Sequence, residues 1–241
     1  MTPPPPRALK RIGHKGADLI SPGNTLESFD AALAAGVDMV EFDVLPEFRD
    51  GTGRLVLAHD FDAASETPLT LEQGLAHFSQ DAWAGVELNV DMKLGGYEER
   101  VVAALREHGL AERAIVSTME ETSLPVVRSA APEVRLGWSV PKIRRNPLDR
   151  RLTRIPALVL AKYAQRILPG RAAREMREGH IDALMCHWAL VSARLVRSID
   201  DAGGELYVWT VDDPERIAKL ERLGVTGVIT NDPRLFGGAA A

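Results

Sequence analysis

IGHKGADLISPGNTLESFDAALAAGVDMVEFDV, residues 12–44, reads as strand, helix, strand. An apolar run over 9–13 ends in GHKG, and a helix is expected over 25–35, with Thr25 or Asn24 as N-cap and Gly36 as the stop. A second apolar run follows at 38–43. Two short apolar strands joined through a helix are the unit of a parallel sheet. The same alternation continues outward from this unit, with strands expected at 86–92, 114–118, 135–139, 182–187, 206–211 and 227–230. Further helices are expected over 97–108, 121–130, 191–202 and 213–223. Eight such strands in one chain of 241 residues specify a single α/β domain, a (β/α)8 TIM barrel. A ninth run, RLVLAHD at 54–60, follows the second strand after only the turn DGTG, too short for a parallel crossover, and is expected as a hairpin arm in the loop after strand two.

Composition narrows the functional classes. Apolar residues make up 45% and charged residues 26%, the mixture of a globular enzyme. With 34 acidic against 29 basic residues the net charge is −5, which argues against general nucleic-acid binding, where affinity comes from neutralising phosphates. Cys186 is alone, so neither an internal disulfide nor a thiolate metal cluster can form. No stretch reads as a secretory signal or a membrane span, and a cytoplasmic location is expected. The domain is expected over 8–236, between a flexible proline-rich lead-in at 1–7 and a flexible tail at 237–241. Residues 141–181, rich in Lys and Arg, read as an insertion around helix five. They form either a helix with a solvated basic face or a basic amphipathic surface making weak contact with a membrane or a phosphate-bearing substrate.

The chemistry of a barrel of this kind gathers at the C-terminal ends of its strands. His14 and Lys15 end strand one, Glu41 and Asp43 strand two, His59 and Asp60 the hairpin arm, Asp91 and Lys93 strand three. Glu41 and Asp43 are two apart on a strand, so their carboxylates share a face while Phe42 points to the other. Like charges packed together need a proton or a cation between them, and with Asp91 as a third oxygen ligand the set suits Mg or Ca rather than Zn. Histidine passes protons near neutral pH, so His14 and His59 beside such a site are candidates for an acid and a base. Lys15 and Lys93 add positive charge. A phosphate diester is the substrate for which metal, lysines and an acid/base pair make joint sense.

The run over 12–44, the later VLAHD, and the tail VWTVDDPERIAKLERLGVTGVITNDP resemble the glycerophosphodiester phosphodiesterase family, one of the phospholipase C-like phosphodiesterases, across nearly the whole chain. The resemblance implies His14 and His59 as catalytic acid/base residues and Glu41, Asp43 and Asp91 as ligands of one divalent cation, Mg or Ca. It further implies Lys93 as a phosphate contact, Trp209 as part of the pocket wall, and glycerol 3-phosphate and an alcohol as products. The chain departs from the family pattern at four places. Lys15 stands where Arg is usual, Gly23 where a glutamate precedes Asn24, and Asp91 where a glutamate opens a Glu-x-Lys triplet; the Arg-Thr-Thr signature after His59 is missing. The Asp-x-Lys form, with Trp209 and Asp212, is also similar to sphingomyelinase D-like phospholipases, which implies as one alternative a phosphodiesterase acting on lysolipids with a cyclic phosphate product. A non-catalytic barrel that binds phosphate esters is the other. Which alcohol leaves, whether water or an internal hydroxyl attacks, and the oligomeric state are open at this point. Asp212 can also be read as a helix N-cap, Trp209 as a core aromatic, and His187 and Trp188 as pocket lining.

Overall fold

In the computed structural model of the chain, residues 8–62, 67–142 and 154–237 are described, except for the side chains of 154–161, 163 and 164. The lead-in at 1–7 and the end of the tail, 238–241, lie outside them. The strands are β1 (Lys10–Gly13), β2 (Met39–Pro46), β3 (Leu55–Leu57), β4 (Glu87–Met92), β5 (Ala114–Thr118), β6 (Arg135–Val140), β7 (Ala183–His187), β8 (Glu205–Trp209) and β9 (Gly227–Thr230). The α-helices are α1 (Leu26–Ala34), α2 (Leu71–Phe78), α3 (Glu98–Glu107), α4 (Ser123–Ala130), α5 (Arg154–Arg177), α6 (Ala193–Asp200) and α7 (Pro214–Leu223). Among the described residues, eight parallel strands run in the order β1, β9, β8, β7, β6, β5, β4, β2, and a parallel β1–β2 pairing closes the barrel. β3 lies antiparallel on β2, with Val44 opposite Leu57 and Pro46 opposite Leu55, as the short DGTG turn requires.

Several boundaries differ from the sequence reading. The hairpin arm pairs only over Leu55–Leu57, which leaves His59 beyond the strand end. β8 stops at Trp209, two residues before the expected end. α2 has no counterpart in the sequence reading, although Thr70 and Gln73 form a complete capping box at its start. Thr25, not Asn24, caps α1 by accepting from Ser28 N. Residues 154–177 of the basic segment form α5, the helix between β6 and β7, while 143–153 lie outside the described residues.

Inside the barrel, alternate strands contribute side chains in layers. The layer at the N-terminal end is charged: Lys10, Glu87, Arg135 and Glu205 come from β1, β4, β6 and β8. Lys10 Nζ lies 2.6 Å from Glu87 Oε1 and 3.8 Å from Glu205 Oε1, and Arg135 pairs with both glutamates. Above it lies an apolar plug of Ile12, Met39, Ile115, Ala183, Met185, Tyr207 and Ile229. Gly137 leaves room there for Met185, whose Cε would stand 3.0 Å from a Cβ at that position. The outer faces of the strands pack on the helices. Phe42 points outward as its alternation demands and stacks on Phe78 at 5.2 Å, with Phe29 and Trp83 completing the cluster. Cys186 is likewise buried on the outer face of β7. The plug closes the barrel from below, so the polar layers above it open only at the C-terminal end.

Candidate active site

Those upper layers bring together residues from most of the strands. A cavity of about 150 Å³ is lined by His14, Glu41, His59, Asn89, Asp91, Lys93, Ser117, Met119, Ser139, Met185, Trp209, Thr210 and Ile229. The Asp43 carboxylate sits against it on Lys93. In the β2–β4 register Asp43 is opposite Asp91, and Glu41 is opposite Asn89. An oxygen from each of Glu41, Asp43 and Asp91 lies within 4.8 Å of the other two, and all three residues are buried. Asp43 is wholly buried; its Oδ2 accepts from Asn24 Nδ2 at 3.0 Å, and its backbone N–H donates to Asn24 Oδ1 at 3.0 Å. Asn24 reaches this position from a left-handed backbone with φ 60°, which asparagine tolerates better than most residues. Asp91 Oδ1 accepts from Ser117 Oγ at 2.9 Å, and Glu41 Oε2 accepts the backbone N–H of Lys15 at 2.8 Å.

Lys93 is the cation that the described residues supply to this trio, with Nζ 2.5 Å from both Asp43 Oδ1 and Asp91 Oδ2. Burial opposes its charge, but Asp43, Asp91 and Glu41 outweigh that and hold its pKa well above the ordinary lysine value. For Asp43, burial raises the pKa, yet the charges of Lys93 and the two histidines win and hold it below the usual carboxylate range. Glu41 moves the opposite way: burial and then the negative charge of Asp43 push its pKa well up. One ammonium against three carboxylates leaves the cluster short of positive charge. A buried all-oxygen donor set of three converging carboxylates, which one ammonium balances only in part, fits a hard divalent cation.

The two histidines occupy different surroundings. The His14 side chain is 19% exposed; its Nδ1 meets Asn231 Oδ1 at 2.5 Å, and its Nε2 is 3.9 Å from Glu41 Oε2. Asn231 is itself held by Asp212, which accepts from the Asn231 backbone N–H at 2.8 Å, Asn231 Nδ2 at 2.7 Å and Thr230 Oγ1 at 2.9 Å. That grip turns the amide oxygen toward His14, so Nδ1 must be the donor and Nε2 is left as the acceptor. Burial lowers the pKa of His14, partly offset by the charge of Asp43, and so favours the neutral ring. His59 is about half exposed, with Nδ1 3.1 Å from Asp60 Oδ2.

The Lys15 ammonium rests on Asp18 Oδ2 at 2.9 Å and lines a cleft of about 920 Å³ beside the cavity, next to His59. Gly23 N donates to the other oxygen of Asp18 at 2.8 Å, and a Cβ on Gly23 would come within 2.6 Å of that oxygen. Asp18 is thus the carboxylate that pairs with Lys15, held in turn by the Gly23 backbone. Trp209 lines the cavity, edge-on to His187 at 5.2 Å. Trp188 lies outside the cavity, beneath the Arg216 guanidinium at 3.9 Å. Asp213, not Asp212, caps α7 by accepting from Glu215 N and Arg216 N. Sequence reasoning missed the Asp212–Asn231–His14 chain; its signal was Asn231 in the ITNDP run directly after the last strand, at the catalytic end.

The model of the family described as "Glycerophosphoryl diester phosphodiesterase family" matches residues 14–70 and 65–235. A glycerophosphodiester phosphodiesterase of Caldanaerobacter subterraneus subsp. tengcongensis is 25% identical over 92% of this chain and 93% of its own. One from Bacillus subtilis is 23% identical over 96% and 86%. Among solved structures, an Oleispira antarctica phosphodiesterase in complex with the product sn-glycerol-3-phosphate superposes with a TM-score of 0.70, at 21% identity and 96% coverage of both chains. A glycerophosphodiester phosphodiesterase from Agrobacterium tumefaciens gives 0.68 at 19% identity, over 96% of this chain and 100% of that one. With its barrel, its carboxylate trio and a match spanning nearly the whole domain, the chain belongs to the glycerophosphoryl diester phosphodiesterase family of enzymes.

Proposed function

We propose that the chain hydrolyses a glycerophosphodiester to glycerol 3-phosphate and an alcohol, with Glu41, Asp43 and Asp91 holding one divalent cation, Mg or Ca, and His14 and His59 moving the protons. The observation that carries this reading is the buried carboxylate trio within 4.8 Å at the barrel mouth, in a cavity that both histidines line. When bound, the cation supplies positive charge to the phosphate oxygens and so stabilises charge building up in the transition state. Lys93 adds a fixed ammonium beside it, and Lys15 a second at the edge of the adjoining cleft. His14, kept neutral by burial and with Nε2 available, is suited to accept the proton of the attacking hydroxyl. His59, which borders both the cavity and the open cleft, is placed to hand a proton to the departing alcohol oxygen. Asn231 and Asp212 act through His14 as positioning residues, and Trp209 walls the cavity opposite the carboxylates.

The test is incubation of the purified protein with Mg or Ca and a panel of glycerophosphodiesters, followed by phosphorus NMR. Appearance of glycerol 3-phosphate, abolished by chelation, is the expected outcome. Direct release of the monoester assigns the attack to water, whereas a cyclic phosphate seen first assigns it to the substrate's own hydroxyl. Absence of turnover with every diester despite bound metal would replace the enzyme reading with that of a phosphate-ester binding barrel.

A further inference from the structure

β2 and β4 part company just past the carboxylate trio. Their ladder ends at the pair Val44–Met92, beyond which β2 turns its pairing to the hairpin arm, with Val44 itself opposite Leu57 on β3. Lys93 is the first residue of the chain after that ladder. Its backbone N–H still reaches Val44 O, at a long 3.3 Å, and the chain then runs through Leu94, Gly95 and Gly96. At Gly96 φ is 101°, a conformation that glycine adopts without steric cost. A lysine at the head of such a turn has little local structure to hold it, yet its Nζ lies 2.5 Å from both Asp43 Oδ1 and Asp91 Oδ2.

Tyr97 supplies the missing restraint. It is the N-cap residue of α3, where a short polar side chain ordinarily accepts from the first N–H groups of the helix, but its side chain makes no cap bond. Instead the ring is buried, 2% exposed, and its hydroxyl donates to Val44 O at 2.7 Å and accepts the Leu94 N–H at 3.2 Å. A buried phenol needs a partner, and one carbonyl would serve. Here the one hydroxyl joins two backbone groups, and each belongs to the residue directly after a member of the Asp43–Lys93 ion pair. The next residue, Glu98, is also buried and accepts the Gly96 N–H at 2.9 Å, so the turn is fastened twice from the start of α3. The helix is itself anchored by its buried Val101, Val102 and Leu105.

We propose that the Tyr97 hydroxyl is a positioning residue of the active site, which holds the Lys93 ammonium in register with Asp43 and Asp91 and so in place for the phosphate. This rests on the phosphodiesterase reading given above and deepens it. Tyr97 lies outside the lining of the cavity, so it acts only through the backbone that it ties. Misplacing a charged group by about 1 Å is enough to cost about 10² in rate, which is why one buried hydrogen-bond bridge can matter at this distance from the chemistry.

Tyr97→Phe keeps the ring and removes only the oxygen, and circular dichroism checks that the variant folds. With glycerophosphocholine as substrate and Mg present, its kcat/KM should fall about 10- to 100-fold, the loss typical of a group that orients another. In a Lys93→Met background the same change should cost less than about twofold, because residues that act through one group are not additive. Tyr97→p-aminophenylalanine, which offers Val44 O an N–H donor again, should recover most of the lost activity. A readout independent of turnover is the proton–nitrogen correlation spectrum of the lysine ammonium groups at low temperature. The signal that Lys93→Met removes belongs to Lys93, and it should shift in Tyr97→Phe and return toward its place in the p-aminophenylalanine variant. A lowered melting temperature with kcat/KM within about twofold of the parent would make Tyr97 a packing residue alone and overturn the proposal. An equal loss with and without Lys93 would route the effect through the hairpin arm and also overturn it. Failure of the parent to cleave any diester would fail the phosphodiesterase reading, while the ammonium spectrum still decides the role of Tyr97: a Lys93 signal unmoved in Tyr97→Phe overturns it.

Discussion

His14 and His59 are the residues on which the proposed chemistry turns, and their surroundings set separate expectations. Replacing either with alanine should lower turnover by roughly 10² to 10⁴, the range of general acid/base catalysis, while calorimetric titration shows divalent-ion binding nearly intact. The double variant should lose far less than the product of the single losses, because the two act as one unit. Asn231→Ala tests the positioning chain. The hydrogen bond from His14 Nδ1 to Asn231 favours the protonated ring, so its removal should shift the pKa of His14 further down. The neutral ring is the base, and the limb of the pH–rate profile that rises with pH should therefore move to lower pH. Turnover should fall about 10- to 100-fold, as for other residues that orient a catalytic group. An unmoved limb would assign Asn231 a purely structural role. For the carboxylates, Glu41→Ala or Asp43→Ala should weaken divalent-ion binding, whereas Asp91→Glu should retain part of it; wild-type affinity in Asp91→Ala would remove that residue from the site.

Among the elements, α2 shows most clearly how tertiary packing defines a segment that the sequence reading passed over. Eight residues are too few for a helix to hold by propensity alone. What holds it is the Thr70–Gln73 capping box at one end and Phe78 at the other, wedged among Phe29, Phe42 and Trp83 with ring centroids 4.8–5.2 Å apart. Thr70→Ala should cost about 1 kcal/mol and Phe78→Ala about 3–5 kcal/mol, read as lowered urea midpoints. Because Phe78 touches the outward side of β2, its loss should change stability much more than kcat. A kcat that falls in proportion to stability would show that the aromatic cluster, through Phe42, also sets the positions of Glu41 and Asp43.

At the scale of the whole molecule, the barrel has two charged ends and an apolar plug between them. The lower end is structural. Glu87 sits between Lys10 and Arg135, and although burial raises its pKa, those two cations outweigh burial and hold it below the ordinary value. A carboxylate whose folded pKa is depressed stabilises fully above its unfolded pKa of about 4.3 and loses that contribution as pH falls through the folded value. The unfolding free energy should therefore decline with acid below about pH 4 to 5, and part of that slope should vanish in Glu87→Gln. At neutral pH this variant should be less stable by about 2 kcal/mol, the worth of charge-assisted hydrogen bonds in a partly buried setting. Activity of the folded variant should be close to that of the parent, since the apolar plug separates Glu87 from the cavity. No helix among the described residues is long and apolar enough to cross a membrane.

The alternation of short apolar strands and helices sufficed by itself to specify the barrel, because a parallel strand must be followed by a crossover and eight of them close a cylinder. Period-two alternation also placed Glu41 and Asp43 on one face and sent Phe42 to the other, and strand ends put His14, Asp91 and Lys93 at the mouth. These are local rules, legible wherever backbone geometry alone sets the direction of a side chain. What only the tertiary structure decided was which neighbours those side chains meet across strands far apart in the chain. Asp212 and Asn231 lie some two hundred residues from His14, yet the β1–β9 pairing brings them together. Asn24, which local reasoning offered as a helix cap, instead holds Asp43, and Lys15 finds its partner in Asp18.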